Sequence, residues 1–298
     1  MVDILATKIR NALQQSRRPE IVGAILFGSL VKGTATASSD VDLLVVCHGL
    51  NPKRHRRGQE SAEIKLLLPG VPLDMLLLMP QEVESNFRNH NPLFLDIAEE
   101  GIVLIDAHRW LENLLAETRD YVRRRGIKKT ENGWIFPVKR GVPTSLSQVS
   151  NRDFSLARLR DGERDYLISL RLIDAGYYDK AVYHCQQAVE KCVKAMLIAM
   201  GIFHKTHFVS EILRATISEP VVPAEWHEEF STLADISVSL EPEVNLSRYP
   251  GILQDRLWLP FDEYELQDAE TAKDKAAYVV ATAQRFVEAW FSGSENED

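Results

Sequence analysis

The chain has 298 residues, of which 45% are hydrophobic, 8% aromatic and 26% charged, and its net charge is −8. These values exclude a disordered or fibrous chain, and the length favours two domains. The longest uncharged apolar stretch, residues 21–31, is far shorter than the ~20 residues of a membrane span, and the start lacks a signal-peptide pattern, which together predict a soluble, cytoplasmic protein without a membrane partner.

The first half alternates helical and extended patterns. Hydrophobic periodicity predicts a small mixed α/β domain over residues 1–125, with a glycine turn and a short helix after the first strand. The expected helices cover residues 3–16, 81–88, 93–99 and 108–125, and the expected strands cover 21–27, 41–47, 73–78 and 102–105.

Residues 126–152 combine Gly, Pro, Ser and Thr with one short apolar run, Trp134 to Phe136. This composition predicts a linker that could add a strand to the first domain.

From residue 153 to 298 the pattern is helical. Helices are expected over residues 154–175 and 262–291, with shorter ones in 218–260. The clearest helix precedes Gly201 and has an apolar stripe at three- and four-residue steps: Ala181, Cys185, Ala188, Val189, Cys192 and Met196. The prediction is an all-α antiparallel bundle, so that the fold class is α+β. Net charge is +3 over residues 1–150 and −11 over residues 151–298, which argues against a broad nucleic-acid surface in the second half.

Two aspartates interrupt the second predicted strand and its approach. Asp40 and Asp42 are two residues apart, so their side chains project from one face. Carboxylates this close repel each other, a cost that a divalent cation removes. Because the motif offers oxygen ligands without His or Cys, Mg²⁺ or Mn²⁺ is the expected cation.

Further polar residues accompany this pair. Asp74 lies inside the third predicted strand and would complete a three-carboxylate site if that strand is adjacent. Gly28 and Ser29 directly follow the first strand, where backbone N–H groups and a hydroxyl could receive phosphate oxygens. Taken singly, each aspartate could instead be a strand-end residue satisfied by local N–H groups.

The motifs follow one another in a fixed order: a strand, Gly-Ser, ten residues, Asp-x-Asp, and an Asp on a later strand. This order resembles that of the polymerase-β-like nucleotidyltransferase superfamily. Residues 28–45, GSLVKGTATASSDVDLLV, resemble its minimal bacterial and archaeal members, and the similarity covers about the first 125 residues. The resemblance implies that Gly28 and Ser29 hold nucleotide phosphates and that Asp40, Asp42 and Asp74 are catalytic metal ligands. Lys32 follows Val31 where minimal members often have Ala-Arg, so it keeps the charge without the planar guanidinium.

The second half resembles the HEPN superfamily of helical bundles. The resemblance covers residues 150–293 and rests on features of residues 177–213, including Gln187-Ala188 and the Thr206-His207 step, and on Arg-Tyr-Pro at 248–250. It implies a homodimer and nucleotide or substrate binding. Many HEPN proteins are ribonucleases with an Arg-x(4–6)-His motif, but none of the eight histidines here follows an arginine at that spacing. Ribonuclease activity is therefore disfavoured.

Several other residues have two interpretations. Glu190, Lys191 and Lys194 could contact a ligand across the domain interface or form a solvated helix face. His204 and His207 are three residues apart, a spacing that metal ligands can have, although helix capping or packing explains them as well. Two groups of basic residues could contact a triphosphate or an RNA acceptor, or could lie on solvated surfaces. They are residues 52–57 and the set Arg119, Arg123, Arg124, Arg125, Lys128 and Lys129.

The sequence therefore predicts a magnesium-dependent nucleotidyltransferase. It would move a nucleoside monophosphate from a nucleoside triphosphate, ATP being the expected one, to a hydroxyl acceptor on a small molecule or a protein. One alternative is a non-catalytic nucleotide-binding regulator of toxin–antitoxin type, and a second is the disfavoured HEPN ribonuclease.

Overall fold

The computed structural model describes residues 2–16, 19–36, 39–131, 133–144, 148–253 and 255–292. It divides the chain into two compact units, Met1–Ile127 and Lys128–Asp298. The first unit has a mixed sheet with helices, and the second is mainly helical, so the α+β class is confirmed.

The first unit follows the predicted order of elements and adds one helix, Gly58–Leu66, that the sequence did not predict. Its strands are β1 (Glu20–Phe27), β2 (Val41–His48), β3 (Leu73–Leu78) and β4 (Ile102–Asp106). Its helices are α1 (Val2–Leu13), α2 (Ser29–Lys32), α3 (Gly58–Leu66), α4 (Pro80–Arg88), α5 (Pro92–Glu100) and α6 (Trp110–Arg125), with 3-10 turns at Arg54–Arg56 and Ala107–Arg109.

The sheet has the strand order β3-β2-β1-β4. Strand β1 is antiparallel to both β2 and β4, whereas β2 and β3 are parallel. A parallel pair needs a crossover connection, and α3 supplies it. Both β2 and β3 consequently begin at the same end of the sheet.

The two faces of the sheet are both apolar, as expected for central strands with alternating side chains. Odd-numbered residues of β2 such as Leu43 and Val45 pack with α1 and α3. Even-numbered residues such as Leu44 and Val46 pack with α4, α5 and α6. The even-numbered residues of β2 and β3 therefore lie on the face covered by α4 to α6.

A buried ion pair fastens the segment after β2 to the start of α4. Arg57, only 3% exposed, donates to both carboxylate oxygens of Glu82 and to the backbone carbonyls of Asn51 and Leu77. Burial by itself would raise the pKa of Glu82, but hydrogen bonds from Arg57, the Met79 N–H and Arg54 lower this pKa to about 2.

We expect Glu82→Gln to destabilise the first unit by about 3 kcal/mol, because it leaves Arg57 buried without its anion. The folded pKa lies below the ordinary value of 4.5, so this stabilisation is present above about pH 4.5 and disappears as pH falls towards 2. Urea titration followed by hydrogen exchange of residues 73–88 measures it.

The matched control for that prediction is Glu112→Gln. Glu112 pairs with Arg109 on the surface, where both side chains are well exposed, and such a pair contributes little. Equal losses for the two variants, or a Glu82→Gln loss that persists at pH 2, would contradict the assignment.

The second unit is built from long and short helices. They are α7 (Asn151–Asp174), α8 (Tyr178–Ala199), α9 (Val209–Ile217), α10 (His227–Leu240), α11 (Glu243–Leu246), α12 (Pro260–Glu263) and α13 (Leu266–Ser292), with a 3-10 turn at Ala224–Trp226. A short turn joins α7 to α8, and α13 packs against both. Helix α7 begins at a capping box in which Ser150 and Asp153 exchange side-chain and backbone hydrogen bonds.

Helix α8 is the centre of this bundle. The predicted stripe is confirmed, because all six of its members are buried. The remaining faces are less exposed than the pattern suggests, since Gln186 and Glu190 are buried as well.

Two small sheets accompany the bundle, and periodicity did not predict them there. Strands β5 (Lys128–Thr130), β6 (Gly133–Ile135) and β7 (Ile202–His204) form one antiparallel sheet, and β8 (Gly251–Leu253) pairs with β9 (Arg256–Trp258). The strand expected near Trp134 thus pairs with β7 of the second unit. Three-residue strands are too short for alternation to be recognised in the sequence.

Among the described residues, no helix combines the length and the hydropathy that crossing a bilayer requires.

Candidate functional site

Asp42 and Asp74 are neighbours across the parallel strands β2 and β3. Each is the second residue of its strand, and the register pairs them directly. Paired residues point to the same side of a sheet. Asp42 and Asp74 are even-numbered residues of β2 and β3, so their side chains lie on the face that α4 to α6 cover farther along these strands. Asp42 is half-buried and Asp74 is exposed. The two strands are adjacent, which is the condition under which Asp74 could complete a three-carboxylate site.

The other neighbour of Asp42 is the end of β1. Phe27 pairs with Asp42 across β1 and β2, and Gly28 follows with φ of 80° and ψ of −157°. That backbone region is essentially restricted to glycine. A Cβ atom at Gly28 would overlap the Asp42 carboxylate. The bare backbone of Gly28 therefore packs directly against this carboxylate.

The turn after Gly28 is closed by backbone hydrogen bonds. The Gly28 carbonyl accepts from the N–H groups of Val31 and Lys32, both at 3.1 Å, and the Ser29 carbonyl accepts from the Thr34 N–H at 3.0 Å. Gly33 ends the short helix with φ of 75°. Ser29 is thus held next to Gly28, at the edge of the sheet where Asp42 lies.

The Lys32 side chain forms an ion pair with a glutamate of α5. Its Nζ atom lies 3.2 Å from Glu100 Oε1 at the end of α5, and Glu100 is the more buried member of the pair. A phosphate group would have to compete with this carboxylate for Lys32. The sequence had not indicated Glu100, because no local pattern connects residues 68 positions apart.

Asp40 is an exposed residue before β2, close in the chain to Asp42. The Val41 N–H donates to the Pro72 carbonyl at 2.7 Å, which brings the approaches to β2 and β3 together. Within the described ranges, no three Asp, Glu, His or Cys side chains gather as a group that could hold a metal ion. The chemistry of the donors nevertheless fits a hard divalent cation, because all are carboxylate oxygens beside solvent.

The two basic runs have other partners. In residues 52–57, Arg54 and Arg57 bind Glu82 beside the last residues of β3. Asp42 and Asp74 lie at the opposite end of these strands, which separates this run from the carboxylates. At the end of α6, Arg124 pairs with Asp120 and Arg125 lies over the Tyr121 ring.

Glu190, Lys191 and Lys194 form ion pairs inside the second unit. Lys194 Nζ lies 2.8 Å from Glu190, and the His207 ring lies 3.1 Å from the same carboxylate. Burial raises the pKa of Glu190, but Lys194 and His207 reverse this effect and lower the pKa. Lys194 is only 12% exposed, so this part of α8 is not a solvated face. The predicted ligand contact stays a prediction.

Lys191 belongs to a second polar cluster, which is formed by side chains of α7 and α8. Its Nζ atom lies 2.5 Å from Asp165 and 3.0 Å from Asp161, and His184 Nδ1 lies 2.9 Å from Asp165. Asp165 and His184 are 19 residues apart on different helices, and sequence reasoning missed their contact. These clusters tie α7, α8 and the segment before α9 together.

The histidine pair is also separated by the structure. His204 ends β7, whereas His207 turns to Glu190. These positions show packing for His204 and an ion-pair contact for His207; the interpretation by helix capping or packing stays a prediction.

Comparison with known families identifies both units. The family model described as a nucleotidyltransferase domain matches residues 6–105, and the HEPN domain model matches residues 156–290. The chain therefore belongs to the proteins that join a minimal nucleotidyltransferase domain to a C-terminal HEPN domain.

Two curated relatives come from Methanocaldococcus jannaschii. A candidate toxin is 35% identical over 129 residues, which cover 43% of this chain and 85% of that protein. A candidate protein adenylyltransferase is 26% identical over 127 residues, 42% of this chain and 85% of that protein. A nucleotidyltransferase-like protein of Exiguobacterium sibiricum has a solved structure with a TM-score of 0.43 and 15% identity, covering 96% of this chain and 78% of that one.

Proposed function

We propose that this protein is a magnesium-dependent nucleotidyltransferase that moves a nucleoside monophosphate from a nucleoside triphosphate to a hydroxyl acceptor. The observation that carries the proposal is the pairing of Asp42 with Asp74 on parallel strands, with the Gly28 backbone packed against the Asp42 carboxylate. Two carboxylates and a side-chain-free stretch of backbone at one sheet edge suit a polyphosphate and its cation.

In this reaction the acceptor oxygen forms a bond to the α-phosphorus, and the bond from that phosphorus to the pyrophosphate oxygen breaks. Asp40, Asp42 and Asp74 would hold Mg²⁺ or Mn²⁺. The bound cation supplies positive charge to the attacking and leaving oxygens. Asp74, the most open of the paired carboxylates, would take the hydroxyl proton, and pyrophosphate would leave.

The phosphates would be held by Gly28 and Ser29. The Ser29 hydroxyl and the backbone N–H groups of the turn can donate to phosphate oxygens. Lys32 would add its charge after exchanging Glu100 for a phosphate. Glu190, Lys191 and Lys194 remain candidates for contacts to the ligand from the HEPN unit.

ATP is the proposed nucleotide, and the similarity to a candidate protein adenylyltransferase supports it. A protein hydroxyl is one proposed acceptor and a small molecule is the other. The HEPN unit would mediate homodimer formation or substrate binding, and the similarity to a candidate toxin supports a toxin–antitoxin context.

One alternative function is a regulator that binds nucleotide without turnover. The observation that favours it is the ion pair of Lys32 with Glu100, which occupies the one cation proposed for the phosphates. Under that proposal nucleotide would bind in the same place and no bond would break.

The experiment that separates these functions incubates the full chain with each of the four ribonucleoside triphosphates and magnesium, with and without heat-treated cell lysate as a source of acceptors. We expect pyrophosphate release with ATP, and intact mass spectrometry then identifies the acceptor. A mass gain of one nucleotide indicates self-modification, and release without a mass gain indicates a free acceptor. Calorimetric binding of ATP without any pyrophosphate release would support the regulator and exclude the enzyme.

A further inference from the structure

A cavity of about 620 Å³ lies in the second unit, between the sheet β5-β6-β7 and α9. Its floor is one face of the sheet, because Lys128, Ile135 and Ile202 all line it and form one cross-strand row. The volume lies within the range of roughly 300–1,000 Å³ that is typical of small-molecule sites. The proposed transfer reaction does not use this cavity.

The walls of the cavity are predominantly apolar. They include Phe136, Val138, Met200 and Ile212 in addition to the two isoleucines of the floor. Side chains of this kind favour the burial of a hydrocarbon or aromatic group.

Two buried polar atoms on this sheet have no hydrogen-bond partner among the residues that the structure describes. They are Thr130 Oγ1 and His204 Nδ1. The register pairs Thr130 with Gly133 and Gly133 with His204, so Thr130 and His204 lie in one cross-strand row. This row is two residues away from the row that forms the cavity floor. Residues two apart in a strand share a face. Both side chains therefore lie on the cavity side of the sheet; His204 also lines the cavity, whereas Thr130 is not part of the lining.

An unpartnered buried polar atom is destabilising, and a ligand group that completes its hydrogen bond recovers that loss. Burial lowers the pKa of His204, and the nearby Lys194 charge lowers it further, so the ring is neutral at pH 7. A neutral ring can donate or accept a hydrogen bond at Nδ1, depending on the tautomer. Thr130 can also do either.

Among the described residues, Lys128 is the only cation that lines the cavity, and no ion pair joins it to a described acid. Glu219 is the one carboxylate among the described residues of the lining. It follows α9 in the chain and is not part of the sheet that forms the floor. The charge on the sheet side therefore suits an anionic head group.

We propose that this cavity binds a small apolar carboxylic acid. The hydrocarbon part lies among Ile135, Phe136, Ile202 and Ile212, and the carboxylate end lies on the sheet side, where Lys128 and His204 line the cavity.

The test uses decanoate as the probe and isothermal titration calorimetry of the full chain. Wild type is expected to bind one decanoate per chain. Ala215 lines the cavity from an exposed position of α9, so Ala215→Trp fills it with little risk to folding and should weaken binding at least about tenfold. Ser218→Trp, just beyond the same helix and outside the lining, is the control and should bind as wild type.

Two results of this titration would contradict the proposal. An absence of saturable binding by wild type overturns the proposal. Equal affinities of wild type and Ala215→Trp also overturn it, because they place the probe elsewhere, for example on the exposed apolar residues around Ile252.

The head group is tested by comparing decanoate with 1-decanol. Lys128→Gln should weaken decanoate binding about tenfold and leave decanol binding unchanged. If Lys128→Gln affects neither probe, the assignment of a carboxylate is wrong.

Discussion

Replacing Gly28 by alanine should lower the rate of nucleotidyl transfer by at least about 10²-fold. The new methyl group would occupy the position of the Asp42 carboxylate, and a displacement of about 1 Å in a catalytic group can cost a factor of this size. Steady-state pyrophosphate release measures the rate, and circular dichroism verifies that the variant is folded.

Gly33→Ala is the matched control for this substitution. Gly33 has a φ of 75° at the other end of α2, but a Cβ atom there would meet no atom within 4 Å. Both variants have an unfavourable positive φ, which costs about 1–3 kcal/mol of stability, and only one disturbs Asp42. Similar rates for the two variants would mean that the contact with Asp42 is irrelevant to transfer.

Replacing Asp42 by asparagine should lower the rate by about 10³-fold or more. The substitution keeps the shape of the side chain and removes one negative charge, and a divalent cation in such a site contributes several kcal/mol to transition-state stabilisation, at about 1.4 kcal/mol per tenfold. ATP binding should also depend less on magnesium, which titrations with and without the cation would measure.

Asp3→Asn provides the control for charge removal, because Asp3 is an exposed residue in the first turn of α1. It should retain wild-type activity. If Asp42→Asn retains activity as well, the proposed site is wrong; if it binds ATP as wild type does and wild type itself releases no pyrophosphate, the chain is a regulator.

Much of the first unit could be predicted because its signals are local. Strand β3 was expected over the residues that form it, Leu73–Leu78, since an apolar run follows two turn-forming prolines. Its register could not be predicted, because a one-residue shift would move Asp74 to the opposite face. The structure supplies the pairing with Asp42 that the candidate site needs.

The interactions that escaped prediction join residues far apart in the chain. Glu82 is a polar residue in an amphipathic helix, and only the folded chain brings Arg57 to it. Glu190 had the spacing of a solvated position on α8, yet helices and loops surround α8 and bury it. The short strands β5, β6 and β7 are held by tertiary pairing and have no periodic pattern of their own.

The burial of Cys47, Cys185 and Cys192 has a practical consequence. Burial raises the pKa of Cys47 and Cys192 to about 12 and that of Cys185 to about 11. The thiolate is the form that reacts with alkylating reagents, so the native protein should resist maleimides. A cysteine introduced on the surface of each unit would then accept a fluorophore selectively, and energy transfer between the two dyes would measure the distance between the labelled positions with and without nucleotide.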